Sequence, residues 1–195
     1  NRTIGVRDYH PEDEFRRVHW PATAHTGKLQ VKIYEPVTAQ VMMICMNVAT
    51  TSTAWMSDIP DLLEQVIRVC ATIAYDGIQN GYAVGLISNS CLAHSDQPFR
   101  VPPGRSPQQL SLLLQTLAGA TSYFTGPFEP LLFKSMSSLP MGSSLVIVTG
   151  VMTDTLVDTL IRLKKYHTQT TLISLEETPP PAIHGIRLIH MPFKV

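Results

Sequence analysis

Residues 40–48 read Gln-Val-Met-Met-Ile-Cys-Met-Asn-Val and are apolar at neighbouring as well as alternate positions. A half-buried strand alternates apolar and polar side chains, whereas a parallel strand covered by helices on both faces carries a nearly continuous apolar run. The stretch therefore predicts a central parallel strand of an α/β sheet. The polar residues 49–53, Ala-Thr-Thr-Ser-Thr, predict a turn at the carboxyl end of that strand.

Helical and extended patterns alternate along the rest of the chain. One helix is expected from a cap at Ser57 or Asp58 to about Asn80, and another after Ser106, where Gln109 would complete a capping box. Residues 90–106, which contain several prolines, are expected to form a long loop. The other predicted elements are strands at 28–34, 82–88, 144–149, 170–175 and 185–191 and helices at 128–139 and 153–167. This order predicts a doubly wound, mainly parallel sheet in a Rossmann-like three-layer sandwich.

The amino-terminal segment 6–29 is rich in charge, and eleven of the thirty formal charges of the chain lie in its first 35 residues. Charged groups beside a hydrophobic strand are tolerated when they are paired. Two interpretations stay open: a structural cluster of ion pairs, and a polar platform for a binding partner. The residues that would form either are Arg7, Asp8, Glu12, Asp13, Glu14, Arg16 and Arg17.

The same segment resembles the signature of domain-of-unknown-function family 58, which has the form R-x-Y-x-P-G-D-x-x-R-x-I-x-W-x-A-x-A-R-x-G-x-L. Two positions depart from it, with Glu12 in place of glycine and His25 in place of arginine. Residues 101–110 also resemble the family's sequence, so the resemblance covers most of the chain. The residues that fill the signature are Arg7, Tyr9, Pro11, Asp13, Arg16, Val18, Trp20, Ala22, Ala24, Gly27 and Leu29.

The resemblance implies a von Willebrand factor A-like fold. Residues 1–36 are expected to form a charged signature arm with an edge strand, and residues 37–195 the α/β domain. Members of the family often accompany MoxR-type AAA+ ATPases, so the resemblance implies a protein partner of that kind. Relatives commonly carry two membrane-spanning helices ahead of this region, which implies a cytoplasmic domain of a membrane-anchored protein.

Length and charge disfavour several classes of function. The 195 residues suffice for one domain with a substantial core. The formal net charge is zero, so no overall field attracts nucleic acid. No apolar run reaches about eighteen residues, so this segment is not expected to insert into a membrane. Cys45, Cys70 and Cys91 form no CxxC pair and are expected to be reduced thiols without zinc.

A ligand site in such a sheet is expected outside the carboxyl ends of its strands. Metal-binding von Willebrand A domains carry D-x-S-x-S after the first central strand and an aspartate after a later one, which are oxygen ligands suited to Mg²⁺. Here Asn47, Ala49 and Thr51 occupy the first motif and Gly150 the later position. A divalent ion about 4 Å from one carboxylate gains about 2 kcal/mol in water and about 8 kcal/mol at an effective dielectric constant of about 20. The sequence therefore predicts a degenerate site without metal, and Asp154 is expected in the first turn of a helix.

Catalytic and nucleotide-binding motifs are not recognisable, because GxSxG, GxxxxGK[ST], GxGxxG after a strand and HExxH are all absent from the sequence. The chain is therefore expected to be no enzyme and to use no cofactor. A hydrolase with an unrecognised site near His19 or Asp13 is a weaker hypothesis. His19 is interpreted more simply as a hydrogen-bonded packing residue.

The leading hypothesis is a non-enzymatic adaptor domain that binds a MoxR-type AAA+ ATPase. Its binding face is expected at residues 47–55, 90–105 and 150–153, with Arg105 in a stiff, basic contact. Trp55 is expected either to anchor this interface or to pack on the following helix, and Trp20 to cover an edge of the core. The alternative is a metal-dependent ligand-binding von Willebrand A module that completes its coordination with a partner's carboxylate.

Overall fold

The computed structural model describes residues 3–34, 40–51, 59–92, 97–136, 139–163 and 169–193. The chain forms two compact units, Asn1–Thr38 and Ala39–Val195. In the first unit, strand β1 (Thr3–Asp8) pairs antiparallel with strand β2 (Gln30–Tyr34), and helix α1 (Trp20–Thr26) lies between them in sequence. The buried side chains described in this unit are those of Val18, Gln30 and Val31.

The second unit is an α/β sandwich. Its strands are β3 (Val41–Asn47), β4 (Ala83–Leu92), β5 (Pro98–Gly104), β6 (Ala120–Phe124), β7 (Ser144–Thr149), β8 (Gln169–Ser174) and β9 (Arg187–His190). Its helices are α2 (Pro60–Gln79), α3 (Gln109–Ala118), α4 (Phe128–Met136) and α5 (Asp154–Leu163). The strand order is β5-β4-β3-β7-β8-β9, with β6 beside β4. Among the described strands of this unit, only β5 and β6 run antiparallel to their neighbour, so the predicted Rossmann-like, mainly parallel sandwich is confirmed and is consistent with a von Willebrand A-type fold.

Strand β3 supplies both layers of the core, which explains its continuous apolar sequence. Ile44 and Met46 belong to the layer that contains the buried residues of α2 and α3. Met43 and Cys45 belong to the layer that contains the buried residues of α4 and α5. Because successive side chains of a strand point to opposite faces, a polar residue at any of these positions would enter one of the two layers.

The prediction of a long loop at 90–106 is wrong. Residues 83–92 continue as β4, and residues 98–104 form β5, an edge strand of the sheet. Phe99 and Val101 are buried whereas Arg100 and Pro102 are exposed, which is the alternation of a half-buried strand. Prolines lack the N–H donor of a sheet ladder but are tolerated in an edge strand. The prolines therefore mark a sheet edge here, and β6 was not predicted at all.

The predicted capping box at Ser106 and Gln109 is also wrong. The side chain of Gln109 is buried and its Nε2 donates to the backbone oxygens of Val84 (2.8 Å) and Pro102 (2.9 Å). Gln109 therefore joins the start of α3 to both β4 and β5. Of the leucines of this helix, Leu113 is buried in the core whereas Leu114 is exposed.

Several other predicted boundaries differ by a few residues. Helix α2 begins at Pro60 after Ile59, and the proposed caps Ser57 and Asp58 lie outside the described residues. Helix α5 is described as far as Leu163, and the rest of the predicted helix lies in residues 164–168, which are not described. No helix in the described ranges has the length and apolar character needed to cross a bilayer.

Candidate functional site

The carboxyl ends of β3, β4 and β7 bring together three buried polar residues, Asn47, Asn89 and Thr149. The Asn47 Nδ2 donates to the Thr149 Oγ1 at 3.1 Å, and the Asn89 Nδ2 donates to the Asn47 Oδ1 at 3.0 Å. This is the edge of the sheet at which the sequence predicted a ligand site. Asn47 was identified there as a degenerate metal position, but Asn89 was not.

Backbone groups complete this hydrogen-bond network and fix which side-chain atoms donate and which accept. The N–H of Val48 donates to the Asn89 Oδ1 at 3.0 Å, and the N–H of Ala49 donates to the Asn47 Oδ1 at 3.2 Å. The Thr149 hydroxyl donates to the carbonyl oxygen of Val151 at 2.7 Å, so it must accept from Asn47. Each amide thus has a defined orientation, and a carboxylate at position 47 would face an acceptor.

A cation would compete with hydrogen bonds that are already formed at Asn47. Its Oδ1 accepts from two donors, the Ala49 N–H and the Asn89 Nδ2, which occupy the two lone pairs of an amide oxygen. The Thr149 Oγ1 is likewise engaged by Asn47 and by the backbone of Val151. These atoms therefore act as a structural connection between the strands.

Gly150, where a metal-binding domain would carry an aspartate, is closed by a side chain of α2. A Cβ atom at this position would lie 3.0 Å from the Leu62 Cδ2 and 3.1 Å from its Cγ. Leu62 is itself buried in the core, so a larger residue at position 150 requires it to shift. The fourth predicted position, Thr51, is half-buried and is already engaged in an interaction.

Asp154 lies in the first turn of α5, as predicted, and is exposed. The hydroxyl of Thr153 accepts the N–H of Leu156 at 3.2 Å and so caps this helix. Within the parts of the chain that the structure describes, no three His, Cys, Asp or Glu side chains are grouped in a way that could hold a metal ion.

The amino-terminal unit contains the ion pairs that the sequence led us to expect. Arg7 binds Asp13 through two hydrogen bonds, of 2.7 and 2.6 Å, and Asp13 also accepts the N–H of His10 at 2.9 Å. The guanidinium of Arg7 and, to a smaller extent, the His10 amide lower the pKa of Asp13 to about 2. Glu14 pairs with Arg16 at 2.6 Å and lies 3.8 Å from Arg17.

An exposed aromatic cluster lies beside these ion pairs. The ring centroids of Tyr9 and Phe15 are 6.2 Å apart and those of Phe15 and Trp20 are 6.0 Å apart, both in edge-to-face geometry. Phe15 is 60% exposed and Trp20 is 59% exposed. The expectation that Trp20 covers an edge of the core is therefore wrong. We call Tyr9, Phe15 and Trp20 the aromatic surface.

His19 immediately precedes this tryptophan. Its Nδ1 accepts the N–H of Ala22 at 3.1 Å, which caps α1, and this agrees with the expected hydrogen-bonded role. Gly27 ends the same helix with a φ of 69°, a left-handed conformation that favours glycine. Trp55 lies outside the described residues, and Arg105 is exposed directly after β5.

Comparison with known proteins places these two regions in one family. The family model described as Protein of unknown function DUF58 matches residues 5–178, a range that contains both the signature segment and the sheet. The chain belongs to the DUF58 family. A segment of 83 residues is also 29% identical to the "Uncharacterized protein YeaD" of Bacillus subtilis (strain 168). That segment is 43% of this chain but only 19% of the relative, so the match spans about a fifth of that protein.

In this DUF58 chain the predicted site residues fall into two groups. The group in the first unit comprises Arg7, Tyr9, Asp13, Arg16, Arg17, His19 and Trp20. In the second unit, Asn47 ends β3 and belongs to the buried hydrogen-bond network, whereas Ala49 and Thr51 follow β3 and Gly150 follows β7. Phe15 is exposed between two signature positions, and it was missed because its position is variable in the signature.

Proposed function

We propose that this DUF58 chain is a non-enzymatic interaction domain, an adaptor that binds a MoxR-type AAA+ ATPase through the aromatic surface. The observation that carries the proposal is the exposure of Phe15 and Trp20 next to arginines. Large aromatic side chains bury much area at low entropic cost when a partner covers them, and tryptophan, tyrosine and arginine are enriched among residues that dominate binding energy.

The ion pairs support this role by holding the charged groups around the aromatic rings. Asp13 is tied to Arg7 and to the amide of His10, which constrains the segment that carries Tyr9 and Phe15. Arg16, whose side chain is 84% exposed, pairs with the exposed Glu14 and can exchange it for a partner's carboxylate. A rigid segment with exposed aromatic and cationic groups is suited to recognising a protein surface.

The carboxyl edge of the sheet is assigned a structural role in this proposal. The polar atoms of Asn47, Asn89 and Thr149 are buried and hydrogen-bonded to one another and to backbone groups. The binding face first expected at residues 47–55, 90–105 and 150–153 is therefore moved to the signature segment. The identity of the ATPase and the attachment to a membrane rest on the family resemblance.

The test is binding of the chain to a purified MoxR-type ATPase from the same genome. Phe15→Ala and Trp20→Ala should each weaken binding by about tenfold or more, because loss of a dominant contact costs about 2 kcal/mol. Tyr75→Ala is the matched control, since Tyr75 is 56% exposed on α2 of the second unit. No binding by the wild-type chain, or equal losses in all three variants, would remove the proposal.

The metal-dependent alternative makes a different prediction for the same proteins. It requires that a partner's carboxylate and a divalent ion together replace the donors that now engage the Asn47 Oδ1. Calorimetric titration with Mg²⁺ or Mn²⁺ should then give heat only when the ATPase is present. Binding of the ATPase that is unaffected by a chelator would support the metal-free adaptor.

A further inference from the structure

Helix α1 is capped by a histidine rather than by one of the usual capping residues. The Nδ1 of His19 accepts the N–H of Ala22 at 3.1 Å, while the His19 backbone accepts from Thr23 at 3.0 Å. A backbone amide can only donate a hydrogen bond, so this nitrogen carries no proton in the capped helix. Serine, threonine, aspartate and asparagine usually occupy this position, and none of their oxygens changes from acceptor to cation near neutral pH.

Protonation of His19 would place two N–H donors face to face. The new proton on Nδ1 would point at the Ala22 amide, and the imidazolium charge would stand at the positive end of the helix. Pro21 has no N–H, so the amide of Ala22 is one of few donors that a cap can satisfy at this end. Loss of this cap removes one of the interactions that order a helix of only seven residues.

The charged neighbours of His19 offer little to stabilise an imidazolium in place. The first turn of α1 has no acidic residue, and its last turn contributes only His25. On the side of β2, the backbone N–H of His19 donates to the carbonyl oxygen of Gln30 at 2.7 Å. The side-chain Nε2 of Gln30 donates to the carboxylate of Asp8, which is therefore already hydrogen-bonded. In the preceding turn Arg17 adds positive charge, and Glu14 is paired with Arg16.

The residue after His19 is the tryptophan of the aromatic surface. Trp20 is the first residue of α1, and its ring meets Phe15 edge-to-face. A first turn without its cap would no longer hold Trp20 in this geometry. We propose that His19 is a proton-operated switch: the neutral ring caps α1 and sets the aromatic surface, and the protonated ring releases it.

Trp20 reports directly on this switch. In a Trp55→Phe background it is the only tryptophan, because the chain has two. Its emission should change reversibly as the pH is lowered from about 8 to about 5, the range in which histidine side chains change charge. Circular dichroism of the same samples should show that the sheet unit stays folded.

Substitutions at position 19 separate the switch from general acid effects. His19→Asn keeps a capping acceptor that does not titrate, so its emission should stay at the capped value throughout. His19→Ala should show the released value at every pH, and His25→Asn should titrate like the parent. A parent protein whose emission is flat, or a His19→Asn variant that titrates as the parent does, would overturn the switch.

The consequence for partner binding rests on the proposed function, whereas the switch itself does not. If both are right, acid should weaken ATPase binding by the parent by about tenfold more than by His19→Asn, when the ATPase alone is shown to be intact at both pH values. A normal fluorescence titration with equal binding losses would reject the aromatic surface as the interface and leave the switch standing. A flat fluorescence titration would reject the switch whatever the binding shows.

Discussion

The two units of the chain are stabilised by different kinds of interaction. In the second unit, apolar side chains fill a layer on each face of the sheet, and buried polar side chains such as those of Asn47, Asn89 and Gln109 are hydrogen-bonded. In the first unit few of the described side chains are buried, and ion pairs, helix caps and exposed aromatic contacts connect the rest. Apolar burial responds weakly to pH, whereas ion pairs and histidine caps respond directly. The stability of the second unit should therefore depend little on pH, whereas the interactions of the first unit should change with pH.

The largest expected effect is the loss of core volume in the second unit. Leu160→Ala should lower the free energy of unfolding by about 2–5 kcal/mol, because it removes a fully buried side chain of α5 and leaves a cavity. Ile161→Ala is the control, since its side chain is largely exposed on the same helix. Urea unfolding followed by circular dichroism measures both. Similar losses for the two variants would contradict the assigned orientation of α5.

The second largest effect on stability is expected from a change of polarity in the network of Asn47, Asn89 and Thr149. Asn47→Asp replaces the donor that faces the Thr149 hydroxyl by an acceptor and buries a charge, so a loss of about 3 kcal/mol is expected. The deficit should shrink at low pH, since a protonated acid regains an O–H donor. Asn80→Asp makes the same chemical change at the exposed end of α2 and should cost much less. A neutral or stabilised Asn47→Asp variant would show that the network is oriented differently.

Removing the hydrogen bonds that join α3 to β4 and β5 should have a smaller, local effect on stability. Gln109→Ala leaves the carbonyl oxygens of Val84 and Pro102 without their donor, at a cost of about 1–2 kcal/mol. Hydrogen exchange should accelerate in β5 more than in β7, and Gln108→Ala, at an exposed position, should leave both unchanged. Uniform acceleration over the whole sheet would argue against a local role for Gln109.

The smallest expected effect is confined to the first unit and depends on pH. The pKa of Asp13 is lowered to about 2, below its usual value of about 3.9. Its ion pair with Arg7 therefore stabilises the first unit fully at pH values above about 3.9. This stabilisation should be lost as the pH falls through about 2. Asp13→Asn should lack that transition and exchange the His10 amide faster at neutral pH.

Glu14→Gln is the control for this last prediction, because the carboxylate of Glu14 is more exposed than that of Asp13. It should change exchange in the first unit less than Asp13→Asn does. High salt should weaken both ion pairs, while the effect of Leu160→Ala in the second unit should be insensitive to salt. An equal response of the two units to salt and acid would remove the distinction between them.

The sheet could be predicted because its central strands have an unambiguous pattern. Residues 144–149 were predicted and observed as β7 with the same bounds, and the order of strands and helices was sufficient for the fold class. The edge strand β5 was wrongly predicted as a loop. Its prolines are typical of loops, and the alternation of apolar and polar residues around them was disregarded. Phe99, Arg100 and Val101 carry that alternation and could have indicated β5.

The candidate sites were predicted unevenly. The Arg7–Asp13 pair was expected in kind because opposite charges lie close in the signature, although the partners themselves were not assigned. The partner of Asn47 was not foreseeable, since Asn89 lies in a different strand, β4, one residue past the predicted end of that strand, and resembles any other polar residue. Trp20 was expected to cover an edge of the core, because a large aromatic residue is usually buried at least in part.

The sequence alone determined the mainly parallel α/β sheet around the apolar strand at residues 41–47 and the family to which the chain belongs, because both are recorded in local patterns of spacing. Only the tertiary structure decided that Asn47 is hydrogen-bonded to Asn89 and Thr149. It also decided that the side chain of Gln109 binds the backbone of β4 and β5 and does not cap α3. The exposure of Phe15 and Trp20 in contact with each other was likewise known only from the structure. The hydrogen bonds of Asn47 and Gln109 join residues of different strands and helices that are far apart in the chain, so the partner of each is set by how these elements are brought together.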